Sequence, residues 1–378
     1  MPESPEGDLM VLNYGPQHPS THGVFRTELY LDGETVVRAV PHLGYLHRGV
    51  EKLCERLTWV QLTPIFGKND YVAPMTNEQT VVMAAERLLG VEVPRRARYL
   101  RSLYAEMQRV ASHLLWLGTF AIDLGGALGG GTTVFMYCFR ERDLVLDLFE
   151  EVTGSRFHYN THAIGGMRHD VPEGWLERVL QMADAVEAHL PDYESMTLGS
   201  GIFEKRTRGV GVLQPGLALE LGVTGPNLRA CGVAHDLRLD APHHAYDEIV
   251  PELCTAQGGD CYARTVVRMA EVRESLRLVR ALVQALPEGP LSSVKPAKNV
   301  NHTKIPTGQA YVAVEGPRGE VGAYVIAAAP GTSPYRFKIR APSLHALSAL
   351  PYILPGHVVA DAVAILGSLD PIMGEVDR

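Results

Sequence analysis

Two hydrophobic periods divide the chain. Near the start, Leu9 to Tyr14 and Val24 to Leu31 alternate large apolar with polar side chains, the period of half-buried strands, and Thr35 to Val40 adds a third such stretch. The run His42-Leu-Gly-Tyr-Leu-His47-Arg48-Gly49-Val-Glu51-Lys52 predicts the opening of a helix reaching about Trp59, and Thr63 to Pro74 reads as a buried loop with Asp70-Tyr71 near its end. Helical spacing then takes over. One helix is predicted from Asn77 to Leu89, with Gly90 where a left-handed cap belongs. A longer one enters through Pro94 and runs to about Leu124, with Leu100, Leu103, Met107, Val110, Leu114 and Leu117 on one face. At 1.5 Å per residue its ~30 residues span about 45 Å. Further helices over Thr133 to Val152, Trp175 to Tyr193 and Gly259 to Leu286 predict an antiparallel bundle.

Between the last two helices, Gly199 to Gly259 reads as irregular, and Pro287 to Gly308 as a linker. Tyr311 to Glu315, Gly322 to Ala328 and Tyr335 to Ile339 are split by Gly-Pro and Pro-Gly turns and predict a β-meander. Short helices over Ser343 to Leu350 and Val358 to Leu366 precede the tail Asp370 to Arg378. The expected architecture is α+β: a small N-terminal β-sheet lobe over 1–60, a helical bundle over 61–290 and a C-terminal α+β segment over 291–378, joined as one integrated domain.

Composition narrows the function classes. A chain of 378 residues, 46% hydrophobic and 21% charged, buries a sizeable core. Its formal charge of -8 argues against a nucleic-acid partner, which needs a basic surface. No apolar run reaches the ~20 residues of a membrane span. The acidic opening Met-Pro-Glu-Ser-Pro-Glu-Gly-Asp is unlike a signal peptide, so a cytoplasmic, peripheral position is expected. Five cysteines without a Cys-x-x-Cys pair read as free thiols, with Cys254 and Cys261 at best a weak metal pair, so no metal or iron–sulfur cluster is expected on this chain.

The stretch Gly15-Pro-Gln-His-Pro-Ser-Thr-His-Gly23 concentrates the candidate chemistry. Pro16 and Pro19 remove two amide donors and stiffen the loop, which carries His18 and His22. These imidazoles either hydrogen-bond their own hairpin loop or offer a proton held rigidly over a substrate. Asp123 falls in the last turn of the long helix, where the helix dipole disfavours an anion, so it either frays into solvent or pairs with a cation. An imidazole and a phenol suit the two carbonyl oxygens of a quinone, since each donates a hydrogen bond and releases a proton as electrons arrive. An aspartate behind the histidine would keep it protonated and oriented. His22, Tyr71 and Asp123 are the residues of those types, although spacing does not bring them together.

Ordered motifs run nearly end to end: Gly-Pro-Gln-His-Pro-Ser-Thr-His-Gly (15–23), Gly-Tyr-Leu-His-Arg-Gly-Val-Glu-Lys (44–52), Asp-Tyr-Val-Ala-Pro-Met (70–75), Ala-Ser-His-Leu-Leu-Trp-Leu-Gly (111–118), Phe-Arg-Glu-Arg (139–142), Arg-Thr-Arg-Gly-Val-Gly (206–211), Gly-Asp-Cys-Tyr-Ala-Arg (259–264), Tyr-Arg-Phe-Lys-Ile-Arg-Ala-Pro-Ser (335–343) and Gly-Glu-Val-Asp-Arg (374–378). In these the chain resembles the D subunits of proton-pumping NADH:quinone oxidoreductase, respiratory complex I, whose fold is that of the large subunit of nickel–iron hydrogenases. The resemblance implies a catalytic quinone site with the headgroup histidine at His22, the headgroup tyrosine at Tyr71 and the acid behind the histidine at Asp123, His18 being a further substrate-binding candidate. It implies electrons from an iron–sulfur cluster in a small B-type partner subunit, with Lys68, His158 and Arg48 proximal to that cluster. A C-type subunit and a membrane subunit at the quinone entrance complete the implied partners.

Hydrogenases need two pairs of thiolates for their metal centre. The corresponding stretches here, about Thr63 to Lys68 and Ser368 to Gly374, contain no cysteine, which excludes hydrogenase activity. Four features depart from the family pattern: Lys68 replaces an arginine, Asn160-Thr-His-Ala-Ile-Gly-Gly166 lacks another, Gly125 to Gly131 looks like an insertion, and the linker 291–308 is shorter and lacks an acidic, histidine-containing part. The alternative reading is a non-catalytic scaffold in a related membrane-bound oxidoreductase fed by ferredoxin or a deazaflavin. Arg48, Glu51 and Lys52 have the plainer reading of an internal ion-pair network, His113 that of a buried bundle histidine, and the last five residues that of a packed terminus.

Overall fold

The computed structural model describes residues 9–125, 131–294 and 303–378. The first eight residues, the interior of the glycine run after Asp123 and the middle of the predicted linker lie outside these. Antiparallel strands β1 (Met10–Tyr14), β2 (Arg26–Asp32) and β3 (Thr35–His42) form the N-terminal sheet, with Tyr14 opposite Thr27 at the mouth of the first connection. Two short helices follow, α1 (Val50–Cys54) and α2 (Trp59–Phe66), and then α3 (Pro74–Leu89), α4 (Arg95–Asp123) and α5 (Gly131–Thr153). A two-residue ladder, β4 (His162–Ala163) with β5 (Gly166–Met167), leads to α6 (Trp175–Met196). Four short helices, α7 (Gly201–Thr207), α8 (Pro215–Glu220), α9 (Gly225–Arg229) and α10 (Leu237–Asp240), precede α11 (Cys261–Gln284). The antiparallel meander β6 (Gly308–Gly316), β7 (Gly319–Ala327) and β8 (Arg336–Arg340) is followed by α12 (Pro342–Leu347), α13 (Leu350–Ile353), α14 (Val359–Leu369) and α15 (Met373–Asp377).

Helix α4 is the axis of this α+β arrangement. It packs against α3, α5, α11 and α14, and side chains on nearly all its faces are buried, which explains its length. One apolar cluster joins Phe25 and Leu29 of the first sheet, Leu103 and Phe120 of α4, Leu276 of α11 and Met373 and Val376 of α15.

Several boundaries differ from the expectations. The helix predicted from His42 to Trp59 shrinks to α1, because Gly44 and Gly49 take positive φ (112° and 64°) and the stretch between them is tied to the C-terminus, with Gly44 N and Leu46 N donating to Asp377. The loop predicted from Thr63 is helical as far as Phe66. There the Gln61 side chain accepts the amide of Thr58 at 3.0 Å, so a first-turn cap outweighs the internal Pro64. Helix α3 starts at Pro74 rather than Asn77, because proline is well suited to a first turn. The stretch expected to be irregular holds α7 to α10, too short for periodicity to reveal. The predicted Ser343–Leu350 helix divides into α12 and α13, and the tail coils into α15.

Inside the bundle lies a buried ionic network that apolar periodicity does not announce. Arg229 reaches Glu271 at 2.7 Å and Glu315 at 2.8 Å, and Arg238 reaches Asp236 at 2.7 Å and Glu106 at 3.1 Å, all of them buried. His113, 1% exposed, bonds Glu271 at 2.8 Å, the bundle role expected of it. Buried carboxylates without a counter-ion are costly, so loss of Arg229 would leave the bundle with uncompensated charge. Substituting Arg229→Met is expected to lower stability by about 3–5 kcal/mol, because Glu271 and Glu315 lose a shared cation. A drop in the thermal midpoint of the purified protein checks it.

Candidate active site

The connection between β1 and β2 is shaped by its own backbone. Gly15 has φ +85°, and a Cβ there would lie 2.0 Å from the Phe25 carbonyl oxygen, so only glycine closes the loop. A single 3₁₀ turn, Pro19–Thr21, follows, with Pro19 at its start and the Ser20 amide donating to His18 Nδ1 at 3.2 Å. His18 is thus spent on capping its own turn, its ring 5.2 Å from that of Tyr14. His22 ends the turn at φ 52°, in the left-handed region, which redirects its side chain out of the loop.

The redirected imidazole meets the end of α4. His22 Nε2 lies 2.7 Å from Asp123 Oδ2, with side-chain exposures of 14% and 7%. An ionised carboxylate only accepts, so this bond puts a hydrogen on Nε2, and Nδ1 has no partner among the described residues. The pairing removes the anomaly of an acid at a helix C-terminus. Trp116, Phe120 and Asp123 share one face of α4; the Trp116 indole donates to the Gly367 carbonyl at 2.9 Å, which fixes α14 beside the pair. A Cβ at Gly367 would sit 2.7 Å from Asp123 Oδ2 and 3.4 Å from His22 Nε2. Tyr14, at the end of β1, belongs to the same neighbourhood: burial, with a smaller push from the Asp123 charge and an opposing bond from Ser20, raises its phenol to about 12.

Tyr71 reaches the surface from a different loop and makes no hydrogen bond to His22 or Asp123. It is 38% exposed while its neighbour Asp70 is 2% exposed. Asp70 Oδ1 accepts the amides of Val72 and Ala73 at 3.0 and 3.1 Å, a tight turn that presents Tyr71 outward. Asp70 Oδ2 takes Arg318 Nη1 at 2.7 Å, and the other arm of that guanidinium meets Asp370 at 3.3 Å. Partial burial raises the Tyr71 phenol, Arg318 opposes that, and Asp70 and Asp370 add to it.

What lies between the two loops is the C-terminal segment. A Cβ at Gly23, beside His22, would touch Met373 Cγ at 3.3 Å, and one at Gly374 would fall 2.5 Å from the Asn69 carbonyl oxygen. Arg48 fastens this junction by donating to the carbonyls of Gly374 and Lys68 at 2.8 and 3.2 Å. Of the ion-pair network anticipated around Arg48, the neighbours form ion pairs, Glu51 with Arg336 and Lys338 at 2.9 Å and Lys52 with Glu55. Arg48 instead holds carbonyls.

Lys68 and His158 are both exposed, and the charge of the first is felt by the second. Desolvation first, and then the Lys68 charge, lower the His158 imidazole, against a smaller opposing effect of Glu78. Glu78 pins the His158 loop to α3, accepting the amides of Asn160 and Thr161 at 2.7 and 3.0 Å and bonding His162 Nδ1 at 3.1 Å. Ala163 lines a cleft of about 600 Å³ with Thr63, Asn160 and Arg168.

Sequence reasoning does not single out Glu78, Arg318 or Asp370, and takes Glu375 only as part of the packed terminus 374–378. A signal exists for Glu78, an acid on a helix otherwise buried from Pro74 to Val82, and none for Arg318, which sits in a β-turn. Among the described residues no group of three or more His, Cys, Asp or Glu is arranged to hold a metal, and all five cysteines are free.

Among the described residues no helix is long and apolar enough to cross a membrane. Among solved structures, the membrane-bound sulfane sulfur reductase, an archaeal respiratory membrane complex, matches over 100% of both chains with a TM-score of 0.93 and 36% identity. The fold is therefore that of a subunit of membrane-bound respiratory oxidoreductases. The family model of the respiratory-chain NADH dehydrogenase 49 kDa subunit matches residues 129–378. The NADH-quinone oxidoreductase D subunit of Geobacillus kaustophilus (strain HTA426) is 44% identical over 369 residues, covering 97% of this chain and 98% of that one. The NADH-quinone oxidoreductase D 2 subunit of Sinorhizobium medicae (strain WSM419) is 40% identical over 401 aligned positions, covering 99% and 98%. The chain belongs to the 49 kDa, or D-type, family of NADH-quinone oxidoreductase subunits.

Gly367→Ala tests the packing around the pair without removing either member. Its methyl displaces the Asp123 carboxylate from His22, and quinone turnover by the assembled complex is expected to fall by up to about a hundredfold, as a misplacement near 1 Å can cost. Steady-state assays on complex of normal subunit content check it.

Proposed function

We propose that this chain supplies the quinone-binding site of a proton-translocating NADH-quinone oxidoreductase and that His22 and Tyr71 give the quinone its two protons. The reading rests on one observation above others: His22, backed by Asp123 at 2.7 Å, leaves Nδ1 unpaired among the described residues. An imidazolium so paired holds one proton for the substrate on Nδ1 and keeps the other on Nε2 against the carboxylate. Tyr71, held out by the Asp70 turn, donates from the other side of the headgroup.

Two electrons enter the quinone one at a time from an iron–sulfur cluster in the neighbouring small subunit, and each carbonyl oxygen gains one proton. One leaves His22 Nδ1 and the other the Tyr71 hydroxyl, and both groups recover theirs from water. Asp123 acts on His22 as its orienting partner. Lys68, Arg48 and His158 form the side that faces the donor, where a histidine lowered by desolvation and then by the Lys68 charge tunes the donor by hydrogen bonding. His18, which caps its own turn, contributes through the shape of the loop.

The close approach of Gly374 to the carbonyls of Asn69 and Lys68 supports the relation to hydrogenase large subunits, because it joins the two stretches that carry thiolates there. In this reading the vacated metal site is the quinone chamber. The protein sits on the cytoplasmic side of the membrane, between the B-type and C-type subunits and the membrane subunit at the quinone entrance. The full-length likeness to the archaeal sulfane sulfur reductase favours a second reading, a scaffold in a related membrane-bound oxidoreductase with another electron source.

His22→Ala and Tyr71→Phe separate the two. Each removes a proton donor, and quinone reduction from reduced clusters is expected to fall by about 10²–10⁴-fold, the usual worth of a positioned acid. Stopped-flow reduction of a short-chain quinone, with assembly and cluster reducibility intact, is the measurement, and unchanged rates in both variants leave the scaffold reading standing.

A further inference from the structure

Behind Tyr71 lies a group of buried charges that the two proton donors do not use. Asp70, Asp370, Glu375 and Arg318 are 2%, 3%, 1% and 2% exposed, and come from the loop before α3, the loop after α14, α15 and the β6–β7 turn. Arg318 is already divided between Asp70 at 2.7 Å and Asp370 at 3.3 Å. Glu375 Oε1 accepts the Ser343 amide at 3.0 Å, while its Oε2 is buried without a partner. Three carboxyls thus surround one guanidinium; Asp370 Oδ2 is likewise buried without a partner, but Asp70 and Asp370 each bond Arg318 and, among the described residues, Glu375 does not, which makes Glu375 the carboxyl least able to ionise cheaply.

The other charged groups around α15 are engaged elsewhere. On α15 itself, Asp377 accepts the amides of Gly44 and Leu46. From the 42–48 stretch, Arg48 bonds the carbonyl of Gly374, and His47 Nδ1 meets the Asp377 carbonyl at 2.7 Å. Arg378 donates to the Ile339 carbonyl, and His345 of α12 bonds the Leu221 carbonyl. His22, near Met373 through Gly23, is paired with Asp123. On the far side of Asp370, Arg268 of α11 lies over the Trp116 ring and donates to the carbonyls of Ser368 and Arg264.

We propose that Glu375 carries a proton when the site is ready to react and that its ionisation, relayed through Arg318, controls how readily Tyr71 gives up its own. This rests on the quinone reading above and deepens it: Glu375 is a positioning residue, one step removed from substrate. With Glu375 protonated, Arg318 serves Asp70 and Asp370 and offsets the phenolate that Tyr71 becomes. With Glu375 ionised, a third negative charge draws on the same guanidinium, and Tyr71 holds its proton more tightly. Burial chiefly, then the Asp70 charge, raise the Glu375 carboxyl to about 7, against Arg318 and the Ser343 bonds, so the switch falls at neutral pH. Coupling is reciprocal: while Tyr71 is a phenolate, the affinity of Glu375 for its proton rises, and the acid holds that proton through the transfer. Quinone chemistry at the surface is thereby felt in the interior as a firmer hold on the Glu375 proton.

The sign is fixed by these charges. Wild-type quinone reduction should fall by about fivefold or more as pH rises through the titration of Glu375, the lower end of ordinary coupling between sites. Glu375→Gln, a neutral isostere of the protonated acid, should keep the low-pH rate and lose the decline, whereas Glu375→Asp keeps an acid and should retain a decline with a moved midpoint. An infrared difference spectrum between oxidised and reduced complex supplies a readout independent of turnover: the C=O band of a protonated carboxyl should be present in the wild type and absent from Glu375→Gln. A wild-type pH profile and an unchanged band in Glu375→Gln overturn the proposal. Should that variant fail to assemble, an unmoved midpoint in Glu375→Asp overturns it equally. Failure of the quinone reading itself is told apart by the His22 and Tyr71 variants, which would then leave turnover unchanged whatever Glu375 does.

Discussion

The guanidinium of Arg318 holds together three parts of the chain that local sequence would leave apart. It sits in the β6–β7 turn, bonds Asp70 in the loop that presents Tyr71, and bonds Asp370 where α14 gives way to the C-terminal turn. Because all three side chains are buried, the arrangement tolerates no missing member, since an unpaired charge in that interior costs several kcal/mol. The C-terminal segment is in turn the floor between the His22 loop and the Tyr71 loop. Remove its anchorage and the two loops lose their common reference.

Much of the architecture is legible from periodicity. The long helix from Pro94 to about Leu124 and the meander near the C-terminus fall within a few residues of their expected bounds, because sustained apolar spacing over many residues is a strong signal. Short elements are not legible in this way. Pro64 hides the α2 helix, and the stretch from His42 reads as helix because its glycines look like minor interruptions until the C-terminus is seen to hold them open. Elements of four to seven residues take their stability from neighbours, and a sequence window does not contain the neighbours.

The site divides in the same way. His22 and Asp123 are legible as chemistry, a rigid imidazole and an acid at the wrong end of a helix, but not as a pair, because they stand 101 positions apart in the chain and only the fold brings them together. Their meeting accounts for both oddities. Arg318 and Asp370 give no comparable sign, since a charged residue in a turn or loop ordinarily faces water and only the fold makes it interior, whereas Glu375 falls in a terminus expected to pack and found buried. Glu78 is the intermediate case: an acid on a buried face is a visible anomaly, and its explanation, hydrogen bonds from three residues of the His158 loop, is not. Family membership carries the function class, and the geometry of these side chains carries the chemistry assigned to them.

The central claim is that quinone is bound and reduced between the His22 and Tyr71 loops. Photoaffinity labelling of the assembled complex with a light-activated quinone analogue, followed by peptide mapping, tests it most directly. The account predicts label on the peptides spanning Gly15 to Gly23 and Asp70 to Met75, displaced by excess unlabelled quinone. Displaceable label confined to other subunits, with both peptides clean, would contradict it.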